Sequence, residues 1–128
     1  MIYGIGADML SKSRLDDLRG KYDDAFFKKT FTEAEYSTGI ARPDPILYFS
    51  ERFAAKEAVF KAISISGDNF KLRDIETLND ESGKPFVNLY GHTKEHCDNA
   101  GVTRLHVSLS NDGGFVIAFA VCEVREPV

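Results

Sequence analysis

The middle of the chain reads Arg52-Phe53-Ala54-Ala55-Lys56-Glu57-Ala58-Val59-Phe60-Lys61-Ala62. Residues with high helix propensity dominate this segment, and neither glycine nor proline occurs between Leu47 and Ile65. We therefore predict a helix over residues 47–65, the longest of the chain. The other elements are expected on either side of it.

The segment before this helix begins with a predicted strand, residues 2–9. One face of the strand carries Tyr3, Ile5, Ala7 and Met9, and the other carries Gly4, Gly6 and Asp8, so the glycines leave room for something to approach Asp8. Ser11 or Ser13 then caps a helix that is expected to end near Gly20. A second helical stretch follows over residues 23–31, and a capping box at Thr32 starts another helix that ends before the loop at 39–45.

The segment after the long helix is predicted to be mainly β. Strands at 74–78 and 86–90 flank a turn, a short helix at 92–100 is closed by Gly101, and residues 104–124 form a hairpin. The order of elements predicts a single α+β domain over residues 1–128, a two-layer structure whose mainly antiparallel sheet packs on helices.

The composition is that of an ordinary globular protein, with 128 residues, 43% hydrophobic and 28% charged. No apolar run approaches the roughly 18 residues that span a bilayer, and the first residues do not resemble a secretory signal. A net charge of −4 argues against nonspecific binding to nucleic acid or membrane. Cys97 and Cys122 lack metal-site spacing, so we expect reduced thiols and a cytoplasmic location.

Glu57 and Lys61 share one face of the predicted helix with otherwise small or apolar residues. An ordinary solvated Glu-to-Lys pair is one interpretation. The alternative is the edge of a pocket, because charged groups among Phe53 and Phe60 are costly unless they are paired or bound to something.

Asp8 is the second unusual carboxylate. A role as a helix cap or turn residue is one possibility. If Asp8 instead faces Glu57, the two would offer oxygen ligands suited to Mg²⁺, which keeps several waters and takes further ligands from substrate phosphates. Lys61, one turn beyond Glu57, would then meet the same phosphates.

Other chemistries find little support in the sequence. Gly4 and Gly6 lack the third glycine of a dinucleotide fingerprint, and the histidines do not cluster with cysteines at zinc spacing. The first helix carries a basic cluster of Lys12, Arg14, Arg19 and Lys21, which is either a solvated face or a dock for an acidic protein helix.

Several motifs together resemble the holo-[acyl-carrier-protein] synthase family, the small trimeric class of 4′-phosphopantetheinyl transferases. Residues 4–9 followed by Arg14 look like its opening GxD motif and downstream arginine, and residues 52–62 match its RFAxKEAxxKA signature. Residues 31–35, the Gly83-Lys84-Pro85 turn and the strand at 105–110 are further matches in the same order. The resemblance covers nearly the whole chain.

The resemblance implies an enzyme that transfers the phosphopantetheine arm of coenzyme A to a serine of an acyl carrier protein, releasing adenosine 3′,5′-bisphosphate. It implies Mg²⁺ held at Asp8 and Glu57 and a coenzyme A phosphate at Lys61. Fatty acid biosynthesis is the expected role, and a carrier of polyketide or another pathway stays an alternative. The general base stays open between a metal-bound water and a nearby carboxylate, Glu57 included. A noncatalytic coenzyme A module or a scaffold protein would not need both carboxylates.

The resemblance also assigns the remaining site residues. Arg14, helped by Arg19 or Lys21, would meet the acidic carrier helix, and Gly83, Lys84 and Pro85 would lie against the adenine. Arg52 and His106 are candidates for the 3′-phosphate region. Asn111 stands where many members have a histidine, and residues 63–66 replace a frequent glycine. Both departures concern the nucleotide contacts and not the metal site.

The final strand predicts an assembly. Residues 115–124 are apolar on both faces, although one layer of helices can cover only one of them. We therefore expect another copy of the chain to cover the second face, and the family resemblance makes the assembly a homotrimer with active sites between subunits. A charge at Ala118 or Ala120 would then be expected to separate the subunits.

Overall fold

A three-stranded antiparallel sheet carries the fold, with the strand at Phe115–Val124 between those at Ile2–Ser11 and Val102–Asp112, and the helix at Pro45–Ala62 lies across one face of it. The structure is a computed structural model that describes residues 1–67 and 70–125, without the side chains of residues 18–23. The elements are β1 (Ile2–Ser11), α1 (Lys12–Thr30), α2 (Glu33–Ile40), α3 (Pro45–Ala62), β2 (Ile75–Asn79), β3 (Pro85–Leu89), α4 (Gly91–Ala100), β4 (Val102–Asp112) and β5 (Phe115–Val124). The expected α+β class with antiparallel sheets is confirmed.

The contact between β1 and α3 depends on two glycines. A Cβ atom on Gly4 would lie 2.0 Å from the carbonyl oxygen of Ala62, and one on Gly6 would lie 1.9 Å from that of Ala58. Any side chain at either position would push the helix away from the strand. The room left by these glycines is therefore filled by the backbone of α3, which brings the helix directly beside Asp8.

The first helix differs from the sequence expectation. It runs without interruption from Lys12 to Thr30, whereas a break near Gly20 was expected. Glycine inside a helix costs only about 1 kcal/mol relative to alanine. Leu15 and Phe27 are both buried in the core, so tertiary packing holds the two halves of α1 in line. The Ser11 cap was correctly predicted, because its hydroxyl accepts from the backbone N–H of Arg14.

The helix predicted at 47–65 is displaced toward the N-terminus. It was wrongly expected to be the longest, since α3 has 18 residues and α1 has 19. The helix α3 begins at Pro45, because the Asp44 carboxylate accepts a hydrogen bond from the N–H of Leu47 at 3.1 Å and proline suits the first helical position. It ends at Ala62, and Ser64 then adopts a φ of +55° that no helix continues through. The capping box at Thr32 and Glu35 is present as predicted.

The hairpin of β2 and β3 forms a separate two-stranded sheet. Asn79 pairs with Pro85, and the residues between them form the turn. The hairpin packs against α2 and α3, so it stands beside the main sheet rather than extending it. In the described ranges, no helix is long and apolar enough to cross a membrane.

The two faces of the main sheet differ in the size of their side chains. The face under α3 carries small buried residues of β5, namely Val116, Ala118, Ala120 and Cys122. The opposite face exposes large apolar side chains, among them Ile5 (70% exposed), Met9 (62%) and Phe119 (54%). The expectation that a charge at Ala118 or Ala120 would act on an assembly is wrong, because both residues lie in the core of the chain itself.

Candidate active site

Asp8, Glu57 and Lys61 meet where β1 crosses the second half of α3. The ammonium of Lys61 lies 3.4 Å from the Asp8 carboxylate and donates to the carbonyl oxygen of Ala7 at 2.9 Å. The three side chains were predicted from two separate parts of the sequence, and the Gly6 contact with α3 is what brings them together. Lys61 therefore reaches across to β1 rather than pairing along its own helix.

Two carboxylates share this site. Burial is the main cause that raises the pKa of Glu57, and the negative charge of Asp8 raises it further. Lys61 and Arg14 act in the opposite direction but do not compensate. A half-buried carboxylate with a second carboxylate beside it and a raised pKa is the environment of a cation ligand or of a proton-transfer group.

The donor set suits a hard cation that is only partly coordinated by protein. Among the described residues, no three His, Cys, Asp or Glu side chains gather to form a complete metal site. Two carboxylates are nevertheless what Mg²⁺ uses when water and substrate phosphate supply the other ligands. Asp8 and Glu57 could hold such an ion, and a cation bound there would act against the burial and the Asp8 charge that raise the pKa of Glu57.

A cavity of about 680 Å³ opens at the first half of α3, one to two helical turns from Glu57. Arg52, Gly83, Lys84 and Pro85 all line it, so four residues that were predicted as nucleotide contacts from distant sequence positions share one cavity. The strand β4 contributes Val107, Ser108 and Leu109 to the opposite wall.

Arg52 is the most unusual group in this cavity. Its side chain is 3% exposed, and only Nη2 has a hydrogen-bond partner, the Asn79 side-chain oxygen at 3.1 Å. The atoms Nε and Nη1 are buried without a partner in the described part of the chain. Buried guanidinium donors are costly when unpaired, so they favour an anionic ligand with several oxygens, such as a phosphate.

The turn that closes the hairpin has a well-defined local structure. The Asp80 carboxylate accepts from the backbone N–H groups of Ser82 and Lys84 at 2.9 and 3.0 Å. Gly83 has a φ of +87°, which other residues rarely adopt. The backbone of the turn is therefore preorganised where Gly83 and Lys84 line the cavity.

Sequence reasoning missed other residues of the cavity. Tyr48 lies between two arginines, with the guanidinium carbons of Arg52 and Arg42 at 4.5 and 5.4 Å from its ring centroid. Asn79 orients Arg52, and Glu51, whose pKa is raised mainly by burial, lines the same wall. Three positions in the sequence were available signals. Tyr48 lies one helical turn before Arg52, Glu51 immediately precedes it, and Asn79 directly follows the strand predicted at 74–78.

His106, Lys12 and Arg14 do not line this cavity. His106 is on the exposed face of β4, where its Nε2 lies 2.7 Å from the Glu123 carboxylate. Arg14 is exposed and lies near enough to Glu57 to lower its pKa, whereas Lys12 pairs with Asp44 at 2.5 Å. The side chains of Arg19 and Lys21 lie outside the described residues.

Comparison with known proteins agrees with this fold. Residues 4–120 match the 4′-phosphopantetheinyl transferase superfamily. The chain belongs to this superfamily. The expectation that it is an enzyme of this kind is confirmed, because its curated relatives are holo-[acyl-carrier-protein] synthases.

Three of these relatives illustrate the similarity. The holo-[acyl-carrier-protein] synthase of Syntrophus aciditrophicus is 37% identical over 96% of this chain and 97% of that protein. The crystal structure of the Neisseria meningitidis synthase is 34% identical, with a TM-score of 0.89 over 96% of this chain and 99% of that one. The Bacillus anthracis synthase in complex with CoA (3′,5′-ADP) is 29% identical, with a TM-score of 0.79 over 98% and 99%.

Proposed function

We propose that the chain transfers the 4′-phosphopantetheine group of coenzyme A to a serine of an apo acyl carrier protein, in a Mg²⁺-dependent reaction that releases adenosine 3′,5′-bisphosphate. The observation that carries this proposal is the meeting of Asp8, Glu57 and Lys61 next to a cavity with unpaired buried arginine donors. The names of the relatives, and the CoA (3′,5′-ADP) bound to the Bacillus anthracis synthase, support the same substrates.

The proposed mechanism divides the work between the two carboxylates and the lysine. Asp8 and Glu57 would hold Mg²⁺, whose chemistry is to neutralise phosphate charge in the transition state. Lys61, which is half exposed, binds a diphosphate oxygen of coenzyme A and orients the phosphorus for attack by the serine hydroxyl. Glu57, with its raised pKa, is one candidate to receive the serine proton.

The nucleotide is proposed to occupy the 680 Å³ cavity. Gly83, Lys84 and Pro85 lie against the adenine, and the free donors of Arg52 bind the 3′-phosphate. His106 would contribute from another copy of the chain, because it lies on the exposed sheet face of its own chain.

The carrier protein is proposed to bind beside the carboxylates. Arg14, exposed at the start of α1, is the residue of the basic cluster nearest to Glu57. An acidic carrier helix placed there would bring its serine toward Lys61 and away from the nucleotide cavity. Arg19 and Lys21 follow on the same helix and stay predicted contributors.

We propose further that one catalytic domain, residues 1–128, assembles as a homotrimer and serves fatty acid biosynthesis. The large apolar side chains exposed on β1 and β5 support the assembly, because a patch of Ile5, Met9 and Phe119 is unusual on a monomer surface.

Intact mass spectrometry tests the proposed function. The protein is incubated with coenzyme A, Mg²⁺ and an apo carrier, and the carrier is expected to gain the mass of one phosphopantetheine. A carrier with its acceptor serine replaced by alanine is the control and should gain nothing. Binding of coenzyme A without any gain in carrier mass would contradict the enzyme and favour a noncatalytic module.

A further inference from the structure

A fully buried ion pair lies on the side of α3 that faces away from Asp8. The ammonium of Lys56 is 2.7 Å from the Glu35 carboxylate, and both side chains are 0% exposed. Lys56 immediately precedes Glu57 in the chain, yet it takes no part in the carboxylate site. Such a pair is expensive to bury and is weak support for stability, so its function needs another explanation.

The partners of the pair indicate what it does. Lys56 also donates to the carbonyl oxygens of Leu72, at 3.1 Å, and Ile75. The second oxygen of Glu35 accepts from the backbone N–H of Thr77 at 3.0 Å. The pair thus binds the carbonyl of Ile75 and the N–H of Thr77, both on the edge of β2 that does not pair with β3. It occupies the place that a third strand would take in a larger sheet.

This arrangement fixes β2 along its own axis. The lysine ammonium can only donate hydrogen bonds, and the ionised carboxylate can only accept them. If β2 shifted by one residue, Lys56 would lose its carbonyl partner and Glu35 would lose its N–H partner. A second contact reinforces the position from α2, because the hydroxyl of Thr32 donates to the Glu76 carboxylate at 2.5 Å.

The position of β2 determines where a residue beside the proposed nucleotide site lies. Two residues after Thr77 the strand ends at Asn79, whose side chain accepts from Arg52 at 3.1 Å. Arg52 and Lys56 are one helical turn apart on α3, so the same helix face holds both ends of the strand. The turn with Gly83 and Lys84 follows immediately.

We propose that Lys56 and Glu35 are positioning residues that clamp the free edge of β2 and thereby hold the hairpin turn against Arg52 for binding of the nucleotide part of coenzyme A. This inference rests on the proposed function. It assigns the lysine of the signature motif to nucleotide affinity, acting through β2, and leaves the chemistry to Glu57 and Lys61.

Steady-state kinetics of Lys56→Met and of the double variant Lys56→Met with Glu35→Leu test the proposal. We expect KM for coenzyme A to rise roughly tenfold to a hundredfold in both, with kcat and KM for the carrier close to wild type, because a displacement of about 1 Å costs up to a hundredfold. The double variant leaves no unpaired buried charge, yet it should show the same rise in KM, because neither methionine nor leucine can hydrogen-bond to the backbone of β2. A wild-type KM for coenzyme A in the double variant would overturn the proposal.

Two controls separate positioning from general destabilisation. Val59→Ala removes buried packing from the same helix but no hydrogen bond to the backbone of β2, and it should leave KM for coenzyme A unchanged. A pantetheine 4′-diphosphate that lacks adenosine should be used equally well by wild type and the Lys56 variant. An equal rise in KM for Val59→Ala, or an undiminished defect on the truncated substrate, would contradict the clamp.

The activity of the wild type distinguishes a failure of the proposed function from a failure of the positioning role of Lys56. If the wild type transfers nothing to the carrier, the proposed function itself is overturned. If it transfers normally and Lys56→Met keeps a wild-type KM for coenzyme A, only the positioning role is overturned.

Discussion

The electrostatics of Glu57 make the candidate site a source of instability when no cation is bound. Its pKa is raised by burial and by Asp8, so the folded chain holds a proton at pH values where the unfolded chain has lost it. The free energy of unfolding therefore falls as pH rises through the window between the ordinary glutamate pKa and the raised one.

Replacing this carboxylate should consequently stabilise the protein. Glu57→Gln is expected to melt at a higher temperature than wild type at pH 7.5 in chelator, and the difference should vanish at a pH below the ordinary glutamate range. Circular dichroism melts at both pH values measure it, with Asp17→Asn, an exposed residue of α1, as the control. A wild type that melts above Glu57→Gln at pH 7.5 would contradict this interpretation of Glu57.

Lys61 gives the second prediction at this scale. Lys61→Ala should lower kcat/KM for coenzyme A by roughly 10²–10³-fold, because it removes a cation from the charge that develops in the transition state. Lys61→Arg should retain part of the activity. If alanine and arginine at this position behave alike, a phosphate contact through the lysine charge is excluded.

Single residues were predictable where helical spacing alone relates them. Glu57 and Lys61 lie one turn apart, and that spacing was visible in the sequence. The ion pair of Lys61 with Asp8 was not, because it joins residues 53 positions apart and depends on how closely β1 approaches α3. Tyr48 lies one turn before Arg52 on the same helix, so this contact could have been predicted from the spacing and was missed.

Elements followed the sequence where local signals dominate. The capping box at Thr32 was predicted correctly, since both of its hydrogen bonds are made within four residues. The unbroken α1 was not predicted, because its continuity past Gly20 depends on core contacts of Leu15 and Phe27 with other elements. The glycines of β1 were noticed in the sequence, but only the structure identifies the backbone of α3 as what they accommodate.

The exposed start of α1 gives a prediction about carrier binding. Arg14→Glu should raise KM for the carrier much more than KM for coenzyme A, and the wild-type KM for the carrier should rise with salt. Steady-state kinetics with each substrate varied in turn provide the measurement. Lys94→Glu on α4 makes the same charge change elsewhere and should leave both constants near wild type. Equal effects of Arg14→Glu on the two substrates would count against docking on this face.

At the scale of the whole molecule, the unequal faces of the main sheet predict the assembly. Light scattering should give three times the chain mass of 14.3 kDa for the wild type. Phe119→Asp, on the exposed face, should give the mass of one chain and lose activity with the assembly. Ile40→Asp is the control, because Ile40 is 58% exposed on α2 rather than on the sheet. A wild type that is fully active with the mass of one chain, 14.3 kDa, would contradict both the trimer and an active site shared between subunits.

One face of the sheet carries large side chains and the other carries small ones, and the sequence predicted this difference only in part. Both faces of β5 are apolar in the sequence, so hydrophobicity alone could not tell which one α3 covers. The close approach of α3 to Gly4 and Gly6 selects the face of small residues, including Ala118 and Ala120.

The central claim is that the carboxylates at the crossing of β1 and α3 support phosphopantetheine transfer. The measurement that tests it most directly is the intact mass of an apo carrier after incubation with coenzyme A and wild type, Asp8→Asn or Glu57→Gln, each with Mg²⁺ and with excess chelator. We predict a gain of one phosphopantetheine for the wild type with Mg²⁺, and none for the wild type in chelator or for either folded variant. Transfer at the wild-type rate by Asp8→Asn or Glu57→Gln, or by the wild type in chelator, would contradict the account.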